Sequence, residues 1–89
     1  MARLINIGFG NVVNTDKVVA VVCPDAAPVK RLIQNAKSLG SLVDATQGRK
    51  TKAVIITEGE KIILSALQPE TITRRFSEYE VKGRGDEHE

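Results

Sequence analysis

The sequence predicts an α+β fold, a small and mainly antiparallel sheet with two helices in the order β-β-α-β-β-β-α. Three observations lead there. β-Branched apolar runs stand at 18–22 and 53–57; a third run at 61–66 follows the turn Glu58-Gly59-Glu60; and an apolar stripe at helical spacing separates Pro28 from Gly40.

Each element has a local reason. Leu4 to Phe9 reads as a first strand, ending in the turn Gly8-Phe9-Gly10-Asn11. Val12-Val13 then runs into the turn-rich cluster Asn14 to Lys17. Val18 to Val22 is nearly all valine, the composition of a buried strand, and Cys23-Pro24 stops it. Asp25 is placed to cap a helix whose first turn holds Pro28, where the missing N–H costs little. Val29, Leu32, Ile33, Ala36 and Leu39 mark its apolar side, and Gly40 closes it. Ser41 to Ala45 is a short strand, followed by a polar loop to Thr51. The runs 53–57 and 61–66 form an antiparallel hairpin. Pro69-Glu70 opens a second helix, with Ile72, Phe76 and Tyr79 on one side and Arg74 and Arg75 on another. One domain over residues 1–80 is expected, with a polar, disordered tail at 81–89.

A chain of 89 residues makes one domain with a limited core, burying roughly 60–65% of its unfolded surface. One cysteine and one histidine permit neither an internal disulfide nor a metal cluster, so no metal and no cofactor are expected. No apolar run approaches the roughly 18 residues of a membrane span, and the N-terminus lacks the pattern of a secretory leader. The expected location is the cytoplasm. Charge is uneven. Residues 1–77 carry 11 Lys+Arg against 6 Asp+Glu, a net of +5; residues 78–89 carry 2 against 5, a net of −3. A basic body suits an anionic partner.

The residues do not predict an enzyme. His88 lies in the tail, and Cys23, without a structured base, reads as a small core residue. Asp44 reads as a loop cap. Gly8-Phe9-Gly10-Asn11 lacks the third glycine, the helix and the Lys-Ser/Thr pair of a phosphate loop, and reads as a glycine turn. Arg84-Gly85-Asp86 in a cytoplasmic tail reads as chance.

The basic residues carry more. Arg49, Lys50 and Lys52 crowd one hairpin loop, with Gln47 and Gly48 letting it protrude. Lys30 and Arg31 stand at the start of the first helix, whose free N–H groups also favour anions. Lys17 sits on a separate turn. Three aromatics are too few for a surface that stacks single-stranded bases, so a nucleic-acid partner would be duplex DNA held through phosphates.

The chain resembles the RemA-like family of bacterial DNA-binding regulators of biofilm-matrix genes. The likeness runs through NIGFGN (6–11), CPDAAPVKR (23–31), LVDATQGRKTKAVIIT (42–57) and ILSALQPET (63–71), nearly the whole chain before the tail. It implies a non-enzymatic duplex-DNA-binding protein similar in fold to LytTR-type domains, and a ring-shaped homo-oligomer of seven or eight subunits. The family's functional positions fall on Lys17, Pro28, Arg49 and Lys50. Lysine stands at 17, 50 and 52 where the family commonly has arginine, and Cys23 where it commonly has serine. Lysine keeps the charge but not the bidentate fork. Arg49 and Lys50 are thus expected to grip phosphates, with Arg49 the base or minor-groove reader. Lys17, Arg31, Lys30 and Lys52 would extend the track, and Pro28 would fix the helix start. A protein-binding scaffold and an RNA-binding module are the alternatives.

Overall fold

The computed structural model describes residues 4–77. Its elements are β1 (Leu4–Asn6), β2 (Val12–Asn14), a 3-10 turn (Thr15–Lys17), β3 (Val18–Val22), α1 (Ala27–Leu39), β4 (Leu42–Asp44), β5 (Ala53–Thr57) and β6 (Ile62–Ser65). Residues 69–77 form a further helix, α2. The class is α+β, as the sequence predicts. The expected tail at 81–89, together with Tyr79 and His88, lies outside the described residues.

The described residues form two sheets. β1 and β2 form an antiparallel pair, and the other strands form a four-stranded sheet in the order β3-β5-β6-β4. β3–β5 and β5–β6 are antiparallel, whereas β4 pairs with β6 in parallel. The strand alternation of β5 explains why its run is apolar from Ala53 to Ile56. Ala53 and Ile55 face the β1–β2 pair and α2, while Val54 faces α1. The sheet therefore lies between two layers. Ile5, Ile7, Val13 and Ile72 fill one side, and Ala36, Ile62 and Leu64 fill the other.

Several sequence expectations need correction. The first strand stops at Asn6, because Gly8, Phe9 and Gly10 all take positive φ and cannot continue it. Val12–Asn14 is a strand in its own right, so the order gains one strand before α1. Val18–Val22 is only half-buried: it is a sheet edge, and a register shift between Val18 and Ala20 leaves Val19 65% exposed. Helix α1 is capped at Ala26 without a side-chain bond, not at Asp25. Pro28 does lie in its first turn, and Gly40 ends it at φ 74°, donating to the Ala36 carbonyl. The apolar side of α1 is only partly covered, since Leu32 and Leu39 remain exposed. Cys23 is exposed rather than part of the core.

One buried polar side chain ties the layers together. Ser65 is fully buried on β6, donates from Oγ to the Ile7 carbonyl at 2.8 Å, and accepts from the Leu67 N–H at 3.1 Å. Its own carbonyl accepts from the Lys52 N–H at 2.9 Å. Ser65→Ala leaves the buried Ile7 carbonyl and the part-buried Leu67 N–H without their partner. The expected cost is about 1–3 kcal/mol, read from urea unfolding midpoints. Arg75 adds a second tie, donating from Nη1 to the Asn6 carbonyl at 2.7 Å and so fastening α2 to β1.

Candidate functional site

The chain between β4 and β5 is not a hairpin loop. Because β6 lies between those two strands, residues 45–52 cross over the end of β6. Both ends of the crossing are pinned to it: Ala45 N–H donates to the Leu64 carbonyl and Lys52 N–H to the Ser65 carbonyl, each at 2.9 Å. Within the crossing, Arg49 N–H donates to the Thr46 carbonyl at 3.0 Å, and Gln47 and Gly48 both take positive φ. This is the pattern of a type I′ turn, and it projects Arg49 and Lys50 into solvent.

Asp44 holds the entry to this turn. Its Oδ1 accepts from the Thr46 hydroxyl at 2.6 Å and from the Thr46 N–H at 2.9 Å. The hydroxyl bond first, and then the backbone bond, hold the Asp44 carboxyl below the usual aspartate range. The loop-cap reading of Asp44 from sequence is thus met. A depressed pKa in the folded state means that the clamp contributes fully above the ordinary aspartate pKa and is lost as pH falls through the folded value. Acid titration followed by NMR should show the Thr46 and Arg49 amide signals moving together, with a midpoint below that of an unperturbed aspartate. Asp44 is exposed, so global stability should change little over that range.

Two surfaces flank the basic turn. On one side the Arg49 guanidinium lies over the Phe9 ring, 5.8 Å from its centroid. On the other, Lys50, Thr51 and Lys52 line an open cleft of about 220 Å³ with Cys23, Pro24, Asp25 and Gln68. The cleft joins the crossing to the chain that enters α1, because Val22 pairs with Val54 at this end of the sheet. Lys30 and Arg31, exposed in the first half of α1, follow from the same end. Pro28 stands between the cleft and these two cations.

Lys17 is elsewhere. It sits where Val18 pairs with Thr57, at the opposite end of β5, and Glu58 N–H donates to its carbonyl at 2.9 Å. The length of β5 separates it from the crossing by roughly 15 Å. Its Nζ is 3.9 Å from a Glu58 carboxylate oxygen, which offsets part of its charge. The fold thus groups Arg49, Lys50 and Lys52, places Lys30 and Arg31 at the same end, and leaves Lys17 apart. Phe9 is the neighbour that sequence reasoning passed over, since the glycine turn read as bland. Its signal was a bulky residue between two glycines.

Among the described residues no group of three or more His, Cys, Asp or Glu is placed to hold a metal ion. No helix among them is long and apolar enough to cross a membrane.

Comparison with known proteins gives a consistent result. The model of the RemA-like family, described as extracellular matrix regulatory protein A-like, matches residues 4–76. Three relatives each carry the name "Putative regulatory protein". The one from Lachnoclostridium phytofermentans is 61% identical over 80 residues, 90% of this chain and 88% of the relative. Those from Heliobacterium modesticaldum and Moorella thermoacetica are 55% and 54% identical over 85 residues, in each case 96% of this chain and 93% of the relative.

Proposed function

The chain belongs to the RemA-like family, and on that premise we propose that it is a regulatory protein that grips duplex DNA through the basic crossing of each subunit in a ring-shaped homo-oligomer. The carrying observation is the arrangement of Arg49, Lys50 and Lys52 on a short segment pinned at both ends to β6. Cations on a fixed backbone lose less freedom on meeting phosphates than cations on a loose one, so more of their attraction is kept as affinity.

The cations serve different tasks. Arg49 and Lys50 neutralise phosphates, and Arg49 alone has the planar fork for a base edge or a narrow minor groove. Lys52, with Lys30 and Arg31 beyond the cleft, extends the positive track from the same end of the sheet. Lys17 supplies a second, separate contact. Pro28 fixes the helix start beside the cleft. The genes under control are those of the biofilm matrix, in keeping with the description of the family.

One subunit offers only a few phosphate contacts, and binding through them alone would be weak. Self-association raises affinity by presenting several crossings to one duplex. What supports it is the exposure of large apolar side chains on several elements. Leu32 and Leu39 on α1, Val19 and Val43 on the two edge strands, and Leu4 and Val12 on the outer face of the β1–β2 pair are all exposed.

Gel retardation of duplex DNA at two salt concentrations, with the mass in solution measured alongside, tests the reading. Binding should fall steeply with salt, at a slope set by the number of phosphates engaged. An intact oligomer that shifts no DNA at low salt would refute it. A monomeric mass would refute the multivalent part.

A further inference from the structure

We propose that Phe9 is a DNA-contacting side chain, presented beside Arg49 to make apolar contact with sugars and base edges in the groove that Arg49 enters. The inference rests on the DNA-binding reading above and adds to it a residue outside the basic crossing.

Four observations converge on this side chain. The first is its backbone. Phe9 has φ 55°, between Gly8 at φ 110° and Gly10 at φ 79°. A bulky aromatic in the left-handed region is disfavoured, and glycine or asparagine would satisfy the same turn with less strain. Strain retained at an exposed position points toward use of the side chain.

The second is exposure without a packing duty. The apolar side chains of this region that build the core are Ile5, Ile7 and Val13, whereas Phe9 is 49% exposed. About half of a large apolar residue is left facing water outside the core.

The third is rigidity. Gly8 N–H donates to Asn6 Oδ1 at 2.6 Å, and both the N–H and the Nδ2 of Asn11 donate to the Gly8 carbonyl, at 3.0 and 2.9 Å. Ile7 N–H donates to the Asn11 carbonyl at 2.8 Å. A Cβ on Gly8 would come 3.4 Å from Leu67 Cγ, so the turn is also seated against the chain that leaves β6. The turn that carries the ring is held.

The fourth is company. The ring centroid lies 5.8 Å from the Arg49 guanidinium carbon, although one residue stands in the turn between β1 and β2 and the other in the crossing between β4 and β5. An arginine resting on an aromatic face keeps its N–H edges free for phosphate or base. An apolar side chain next to such an arginine is the pairing by which proteins wedge into a minor groove.

The test uses the full chain and two variants, Phe9→Asn and Phe9→Leu, with fluorescence anisotropy on duplex DNA at two salt concentrations, thermal melting and mass in solution. Asparagine tolerates the left-handed turn, so Phe9→Asn should melt at or above the temperature of the unaltered protein and keep its mass. Its DNA affinity should nevertheless fall about tenfold, the scale of losing one aromatic contact to a base. The salt slope should stay unchanged, because no charge is removed. Phe9→Leu, which keeps apolar bulk, should lose less.

Unchanged affinity in Phe9→Asn, with the unaltered protein binding normally, overturns this proposal and leaves the DNA reading standing. Failure of the unaltered protein to bind DNA overturns both. A changed mass would assign Phe9 to a contact between subunits and overturn the DNA contact. A loss of affinity with a slope reduced by about one per engaged subunit would show that Phe9 merely supports Arg49, which also overturns direct contact.

Discussion

Replacing Arg49 and Lys50 together by alanine should abolish tight binding to duplex DNA while leaving the melting temperature unchanged. The size follows from counterion release. Each phosphate that is no longer neutralised lowers the slope of log K against log salt by about 0.9, so two such phosphates remove roughly 60-fold in affinity at about 0.1 M salt for every engaged crossing. Several subunits on one duplex would multiply the loss. The fold should not notice, because both side chains are exposed and the turn that carries them is held by Asp44, Thr46 and the β6 backbone. Anisotropy titrations at two salt concentrations, with a thermal melt of the same sample, read both halves. A single variant refines the test: Arg49→Lys should keep the salt slope but weaken the preference among DNA sequences, since charge survives and the fork does not.

The largest effect on stability is expected from Ile55→Ala. Ile55 is fully buried on β5, facing the layer made by Ile7, Val13 and Ile72. Removing three carbons there forfeits their transfer energy and opens a cavity that the surrounding strands cannot close, at about 2–5 kcal/mol. A domain of this size has only about 5–10 kcal/mol to lose. A thermal melt should show a fall in Tm of at least about 8 °C. Any loss of DNA binding in this variant should vanish at a temperature low enough to keep it folded. The Arg49 and Lys50 variant should behave in the opposite way, folded at every temperature at which the unaltered protein is folded, and still unable to bind.

How much of this was legible in the sequence depends on the range of the forces involved. Helix α1 could be read because its signals are local: a proline in the first turn, an apolar residue every three or four positions, and a glycine to stop it. The β5–β6 hairpin was legible for the same reason. The pairing of β4 was not, since a three-residue strand carries too little pattern to choose a partner, and the crossing that follows it looks like a hairpin loop until β6 is seen between the strands. The exposure of Cys23 and Val19 also escaped, because an apolar run does not say whether its strand lies at an edge. Within the site, the crowding of Arg49, Lys50 and Lys52 was visible as charge. The isolation of Lys17 depends on strand register, and the meeting of Phe9 with Arg49 depends on how two sheets stack, neither of which is written locally.

The bonds from Ser65 to Ile7 and from Arg75 to Asn6 span 58 and 69 residues of chain. A ribosome releases a chain in sequence order, so the glycine turn emerges before β6 and α2 and must wait for them before anything fixes it beside the basic crossing. Such distant closures are late events in folding. A chain interrupted in synthesis before residue 65 would carry the cations of the crossing but not the assembled surface. Prematurely ended products should therefore lack the assembled surface proposed to meet DNA, a discrimination built into chain order rather than into any single side chain.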